Sequence, residues 1–277
     1  MLDQPKGEDG GRVRRGAWIA DLQARLQERA SEPRREWWGR YLRGSASFRG
    51  VSMGEVRATL HDWYHEHGFE RWEATEQLQL ALQLIRQDQT EDKLAGILFL
   101  QEILLPSGEP RHALLLPAFA DLFEEGHLAD WNSVDWFCVK VLGPLVERDG
   151  EPCARAIGDW RTASTLWQRR ASAVGFVNLV RRGEIFPGFF QIVTESCEAL
   201  VGDRERFSQT GAGWVLREMS RVDPAAVESF LNRNLQAMSR EAVRNAVKKL
   251  PPRNQQTILA LHRSVSGSGG TAGDAAR

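Results

Sequence analysis

Chemistry in this chain of 277 residues concentrates in a few short segments. In DWNSVDWFCVKVLG, Trp131 and Asp135 are four apart, so on a helix they share one face and reach the same ligand. A carboxylate beside an indole face is an environment for a cation. The same stretch, with Asp130, Asn132, Ser133 and Asp135, also suits the first turn of a helix, where acids and capping side chains are favoured. Spacing alone leaves both readings open.

In TLWQRRASAVGFV, Arg169 and Arg170 follow Trp167 within an otherwise apolar helix, which directs at least one guanidinium toward the packed side or a concave surface. A guanidinium held there needs an anion. That anion is an internal carboxylate on one reading and a backbone phosphate on the other. In FSQTGAGWVLREMSRVDP, Gly211 and Gly213 flank Ala212 before Trp214, and this small-residue stretch reads as the start of a helix. Small side chains permit close approach by another helix or by a nucleic-acid backbone. Trp214 is a core residue on one reading and a stacking surface for a base or sugar on the other.

Other combinations carry less. His61 and His65 in HDWYHEH stand at i, i+4, a spacing able to hold zinc. The string is not H-E-x-x-H and no cysteine is near, so no metal is expected. Cys138, Cys153 and Cys197 are an odd set without a C-x-x-C pair among apolar neighbours, which reads as small buried residues rather than a disulfide framework. There is no G-x-x-x-x-G-K-[ST], G-x-G-x-x-G or G-x-S-x-G, so nucleotide hydrolysis, dinucleotide chemistry and a serine-hydrolase elbow lack support, and no cofactor is expected.

The elements that must position these residues are helices. Apolar residues recur at helical spacing, as in Trp18, Leu22, Leu26 and in Leu78 to Ile85, with no sustained two-residue alternation. Breakers at Gly50, Gly68, Pro106 to Pro110, Gly150 to Pro152, Gly183, Gly202, Asp223-Pro224 and Pro251-Pro252 divide the chain into helices. Asp223 before Pro224 reads as an N-cap, as does Ser239 before REAVRNAVKKL. Trp131, Trp167 and Trp214 recur near the spacing of HEAT-type repeats, about 40 to 47 residues. The expected fold is all-α, an α-α superhelix (solenoid) of HEAT-like helical repeats over 16–263. Residues 1–15 are expected to be a flexible N-terminus and 264–277 a disordered tail rich in Gly, Ser and Ala.

The net charge of -1 hides an asymmetry: residues 1–50 sum to +4, 51–150 to -11 and 151–277 to +6. Such a chain accommodates a basic surface beside an acidic back, as a polyanion binder that is not basic overall requires. No apolar run approaches the roughly 20 residues that span a bilayer, and no secretory signal opens the chain, so a cytoplasmic, non-membrane protein is expected.

Taken in order, several segments resemble the AlkD-type DNA alkylation repair glycosylases, a family of HEAT-like repeat proteins. RYLRGSASFRGVSMGEVR, from Arg40 to Arg57, is similar to the family's early segment, WNSVD to its W-D-x-V-D, WQRRAS to its W-L-x-R-A-A and GWVLRE to the segment of its second cleft tryptophan; SREAVRNAVKKL resembles its closing helix. The resemblance covers roughly residues 36 to 250 and departs from the family at Thr210, where a lysine is frequent, and at Asn132, which replaces an acid. It implies hydrolysis of the N-glycosidic bond of N3- or N7-alkylated, cationic purines in duplex DNA, by a monomer. Asp135, Trp131 and Trp214 would form the catalytic cleft. Arg170, with Arg169 competing for the same role, would contact DNA together with Arg217, Thr210 and Tyr41. A cationic base leaves neutral without a general acid, so one carboxylate would suffice where glycosidases normally use two. The alternative from another class is a non-catalytic HEAT-like scaffold that binds DNA or protein.

Overall fold

Several helix starts in this chain are built from side chains beside the turn they close. Ser52 and Glu55 form a reciprocal capping box, while Thr165, Asp223 and Ser239 each accept a bond from a backbone N–H three residues on. A computed structural model describes residues 8–44 and 46–268, and among them the regular structure is helical; one isolated bridge pairs Ser47 with Gln89. No helix among the described residues is long and apolar enough to cross a membrane. Of the terminal segments expected to be flexible, residues 1–7 and 269–277 lie outside the described residues, and helix covers 8–15 and 264–268.

The chain divides into two units, one of residues 1–111 with 125–133 and one of 112–124 with 134–277. In the first, α1 (Glu8–Glu28), α2 (Glu32–Tyr41), α3 (Met53–Glu66), α4 (Ala74–Ile85) and α5 (Thr90–Phe99) surround an aromatic core. Trp63 and Phe69 are fully buried with their rings 4.7 Å apart, and Phe99 meets Tyr64 edge-on. Aromatic pairs in this geometry add about 0.5–1.5 kcal/mol each beyond their buried area. The loop after α2 is tied down by the first turn of α5. Glu91 accepts the backbone N–H groups of Arg49, Gly50 and Val51, and Asp92 pairs with the Arg49 guanidinium at 2.7 and 3.0 Å. Gly50 sits at φ +85°, and a Cβ there would lie 2.2 Å from the Ser31 carbonyl oxygen, so glycine is required.

The second unit holds α6 (His112–Glu124), most of α7 (Trp131–Phe137), α8 (Gly143–Asp149), α9 (Glu151–Asp159), α10 (Leu166–Val174), α11 (Phe189–Gly202), α12 (Arg206–Met219), α13 (Pro224–Asn234), α14 (Arg240–Ala246) and α15 (Pro252–Ser268). Its buried aromatics include Phe119, Phe137, Phe176 and Phe189. Between α7 and α8 the helix widens to a π segment over Cys138–Leu142, two residues before Pro144. A proline lacks an N–H for the i−4 carbonyl and crowds it, and a wider turn accommodates both. The same arrangement follows α5, with a π segment over Leu100–Leu104 ahead of Pro106. The three cysteines are free and buried as expected; burial raises the Cys153 thiol to about 12 and keeps it inert.

Candidate functional site

The start of α7 is capped from outside. The Asp130 carboxylate accepts the N–H groups of Asn132 and Ser133 at 2.9 and 3.0 Å. The first-turn reading of this segment therefore describes Asp130, and Asp135 is not the capping acid. One turn into the helix, Asp135 is met side-on by Arg170 of α10: Nε donates to Oδ1 and Nη2 to Oδ2, each at 2.9 Å. A bidentate, charge-assisted pair fixes a carboxylate in orientation as well as in charge. Arg170 is 5% exposed and Asp135 17%, so the acid retains an opening to solvent while its partner is enclosed.

Arg170 is aimed by its third nitrogen, since Nη1 donates to the Phe207 carbonyl at 2.6 Å in the first turn of α12. Passage of the guanidinium across α12 depends on Gly211, where a Cβ would lie 2.9 Å from Nη1. Gly213 performs the same service for α14: a Cβ there would stand 2.7 Å from the Ala242 carbonyl oxygen and 3.1 Å from its Cα. These glycines lie in the interior of α12, which begins at Arg206, and not at a helix start as their composition suggests. Close packing of Arg170 and of α14 requires them, and a local reading sees neither neighbour. Trp214, half-buried, follows Gly211 by three positions and so adjoins it on the helix surface.

The neighbouring arginines of α10 turn to different carboxylates. Arg169 donates Nε and Nη2 to Asp203, at 3.1 and 2.7 Å, and Nη1 to the carbonyls of Ala163 and Ser164. It binds the loop ahead of α10 to the loop ahead of α12. For both residues the internal-carboxylate reading describes the contacts made. Arg217 donates to Glu218 and to Asn245, at 2.8 and 3.1 Å. Thr210 is half-buried and borders a cleft of about 600 Å³ with Arg240, Glu241, Arg244, Asn245 and Lys248.

Trp131 and Tyr41, within the first unit, meet edge-on at 5.8 Å between centroids. Tyr41 stacks on Trp37 at 5.0 Å and 11°, and both are about half exposed, at 54% and 51%. Two large aromatics held open to solvent are an uncommon expenditure of apolar surface, and they suit flat ligands.

Two histidines of HDWYHEH, His61 and His67, each meet a single carboxylate. His61 lies 2.9 Å from Glu102 and His67 2.9 Å from Asp21, and among the described residues no group of three or more His, Cys, Asp or Glu is placed to hold a metal. Sequence reasoning passed over Phe207, whose carbonyl aims Arg170, and Gln209. Gln209, buried in α12, donates to the carbonyls of Val201, Asp203 and Ala237 and accepts the Ser239 N–H. A Gln two residues before a glycine was its only local trace. The cations of α14 were legible as a basic helix end, without a cleft to belong to.

The regular structure among the described residues is helical, and the second unit holds both the clamped aspartate, Asp135, and the basic cleft beside Thr210. The family model described as DNA alkylation repair enzyme matches residues 22–250, and the chain belongs to that family. Membership makes it an enzyme of DNA repair, with DNA as its substrate. In fold it is similar to a predicted DNA alkylation repair enzyme from Enterococcus faecalis, with a TM-score of 0.68 and 19% identity over 81% of this chain and 98% of that one. The likeness is compatible with the expected α-α superhelical repeat fold. Among curated proteins, none matches the chain.

Proposed function

We propose that the protein is an AlkD-type DNA glycosylase that hydrolyses the N-glycosidic bond of N3- or N7-alkylated purines in duplex DNA and leaves an abasic site. The observation that carries this reading is the Asp135–Arg170 pair: an aspartate on the helix that Trp131 opens, held in a two-pronged grip by Arg170 and still reached by solvent.

The substrate's own charge sets the chemistry. An alkylated purine is already cationic, so the electrons of the C1′–N bond leave with the base and neutralise it without a general acid. The sugar left behind is oxocarbenium-like, and a fixed carboxylate stabilises it without reorganising during the reaction. Water adds to C1′, and Asp135 orients that water and takes up its proton on the way to solvent. Arg170 holds the acid in place. Its role as a phosphate contact, implied by resemblance, gives way to that of a positioning residue. The half-buried indole of Trp214, in the same unit as Asp135, would face the cationic base, worth about 0.5–2 kcal/mol as a cation–π contact.

Chromatographic detection of bases freed from methylated DNA tests the proposal. Asp135→Asn should cut release of 3-methyladenine or 7-methylguanine by about 10²–10⁴-fold, the range for a removed acid–base group, while retaining DNA affinity and the helical CD spectrum. Full release by that variant would reassign the pair to a purely structural role.

A further inference from the structure

The cleft beside Thr210 is lined by three cations from one stretch of chain. Arg240, Arg244 and Lys248 stand at i, i+4 and i+8 of α14 and the turn that follows it, all are exposed, and none has an ion-pair partner among the described residues. Four helical residues rise about 6 Å, so the three charges form a row along the cleft. Like charges in a row repel one another unless an anion lies among them. The acid that also borders the cleft, Glu241, is already neutralised by Arg206 of α12 through two bonds at 2.6 and 2.7 Å.

The row is fixed with respect to Trp214. Ala242, between Arg240 and Arg244, is the residue packed on Gly213, and Gln209 accepts the Ser239 N–H that opens α14. Thr210 borders the same cleft one turn before Trp214. Thr210 itself offers a hydroxyl, bonded to the Phe207 carbonyl at 3.4 Å, and no charge. We infer that this cleft grips the phosphodiester backbone of duplex DNA, with Arg240, Arg244 and Lys248 supplying the charge that Thr210 lacks and Asn245 a neutral donor. The inference rests on the reading of the chain as a glycosylase acting on duplex DNA, and it assigns the contact that holds the strand beside Trp214. It requires none of the cations to touch a base, so the grip is independent of sequence and of damage.

The test is the salt dependence of binding, measured with the full chain and a short fluorescent undamaged duplex between about 50 and 200 mM NaCl. Each phosphate contact contributes about 0.9 to the slope of log K against log salt. The variant R240Q/R244Q/K248Q should lose about 2.7 of that slope, and each single glutamine variant about 0.9. Arg244→Lys keeps the charge and should keep the slope, as should Arg233→Gln on the exposed side of α13. An unchanged slope in the triple variant overturns the inference, and so does equal competition by poly-glutamate, which would make the cleft a protein site. Base release by the wild type is scored separately. Release with an unchanged triple-variant slope sinks the cleft alone, and a lost slope without any release sinks the glycosylase reading while the cleft stands.

Discussion

Asp135 and Arg170 meet through two parallel bonds of 2.9 Å, and the guanidinium that makes them is more deeply enclosed than the carboxylate it serves. That asymmetry separates orientation from reaction: the enclosed partner holds the pair in place, and the carboxylate keeps an opening to solvent. Removing Arg170 should therefore cost both stability and activity. Breaking a buried pair typically costs about 3–5 kcal/mol, and the partial exposure of Asp135 places Arg170→Ala near the lower end. Arg170→Lys keeps a positive charge but not the two-pronged geometry, and should recover part of the stability while base release stays low. Urea unfolding beside single-turnover release measures the two effects. Equal recovery of both by lysine would show that charge alone matters.

The glycines of α12 predict a split of a different kind. Alanine in a helix interior is favoured over glycine by up to about 1 kcal/mol, so either substitution would be stabilising if space allowed. At Gly211 the obstructing atom is the end of a flexible side chain, Nη1 of Arg170. Gly211→Ala should depress base release and lower the melting temperature, because the guanidinium must move off Asp135 and the pair is lost, while salt-dependent DNA binding stays near wild type. At Gly213 the obstruction is the backbone of Ala242, which cannot turn aside. Gly213→Ala should destabilise by about 1–3 kcal/mol and displace α14, weakening salt-dependent DNA binding as well. Base release and the binding slope distinguish the two variants, and a stable Gly213→Ala with normal binding would contradict the packing described.

How much of this was legible beforehand follows from the range of each interaction. The caps at Asp223 and Ser239, the all-helical class and the shared face of Trp131 and Asp135 depend on residues within four positions of one another, and the sequence displays those directly. The interior position of Gly211 and Gly213 depends on Arg170 and Ala242, 41 and 29 residues away, so composition alone suggested a helix start. The Arg169 and Arg170 partners, Asp203 and Asp135, are 34 and 35 residues distant, which is why an internal acid and a phosphate could not be told apart. The π segment after α7 had a local signature in Pro144, unread because proline at that place suggests a new helix rather than a widened one.

Gln209 illustrates a buried polar group that joins elements rather than reacting. Its amide connects the carbonyls of Val201, Asp203 and Ala237 with the N–H of Ser239, so both faces of the amide are used. Gln209→Leu matches its size closely but leaves those backbone groups without the side chain that served them, at about 1–3 kcal/mol. The variant should melt lower, and hydrogen exchange at Ser239 should accelerate, since the bond protecting that amide is gone. Unchanged exchange at Ser239 would deny Gln209 its place in holding α14.

Asp149 predicts how the second unit responds to acid. Burial alone raises its pKa, but bonds from Arg148, from the His112 backbone N–H at 2.7 Å and with the His112 ring at 2.9 Å prevail and lower it from 3.8 to about 2. A carboxyl whose folded pKa lies below its unfolded one stabilises above the unfolded value, and that contribution disappears as pH falls through the folded one. The shift corresponds to about 2 kcal/mol, present at neutral pH and lost between about pH 4 and pH 2. Asp149→Asn should therefore lower stability at pH 7 by an amount of that order and shallow the fall in stability across the acid window. At pH 2 the variant and the wild type should unfold at nearly the same urea concentration. Parallel curves at every pH would mean that the Asp149 charge contributes nothing, and that its bonds to the start of α6 hold equally well in neutral form.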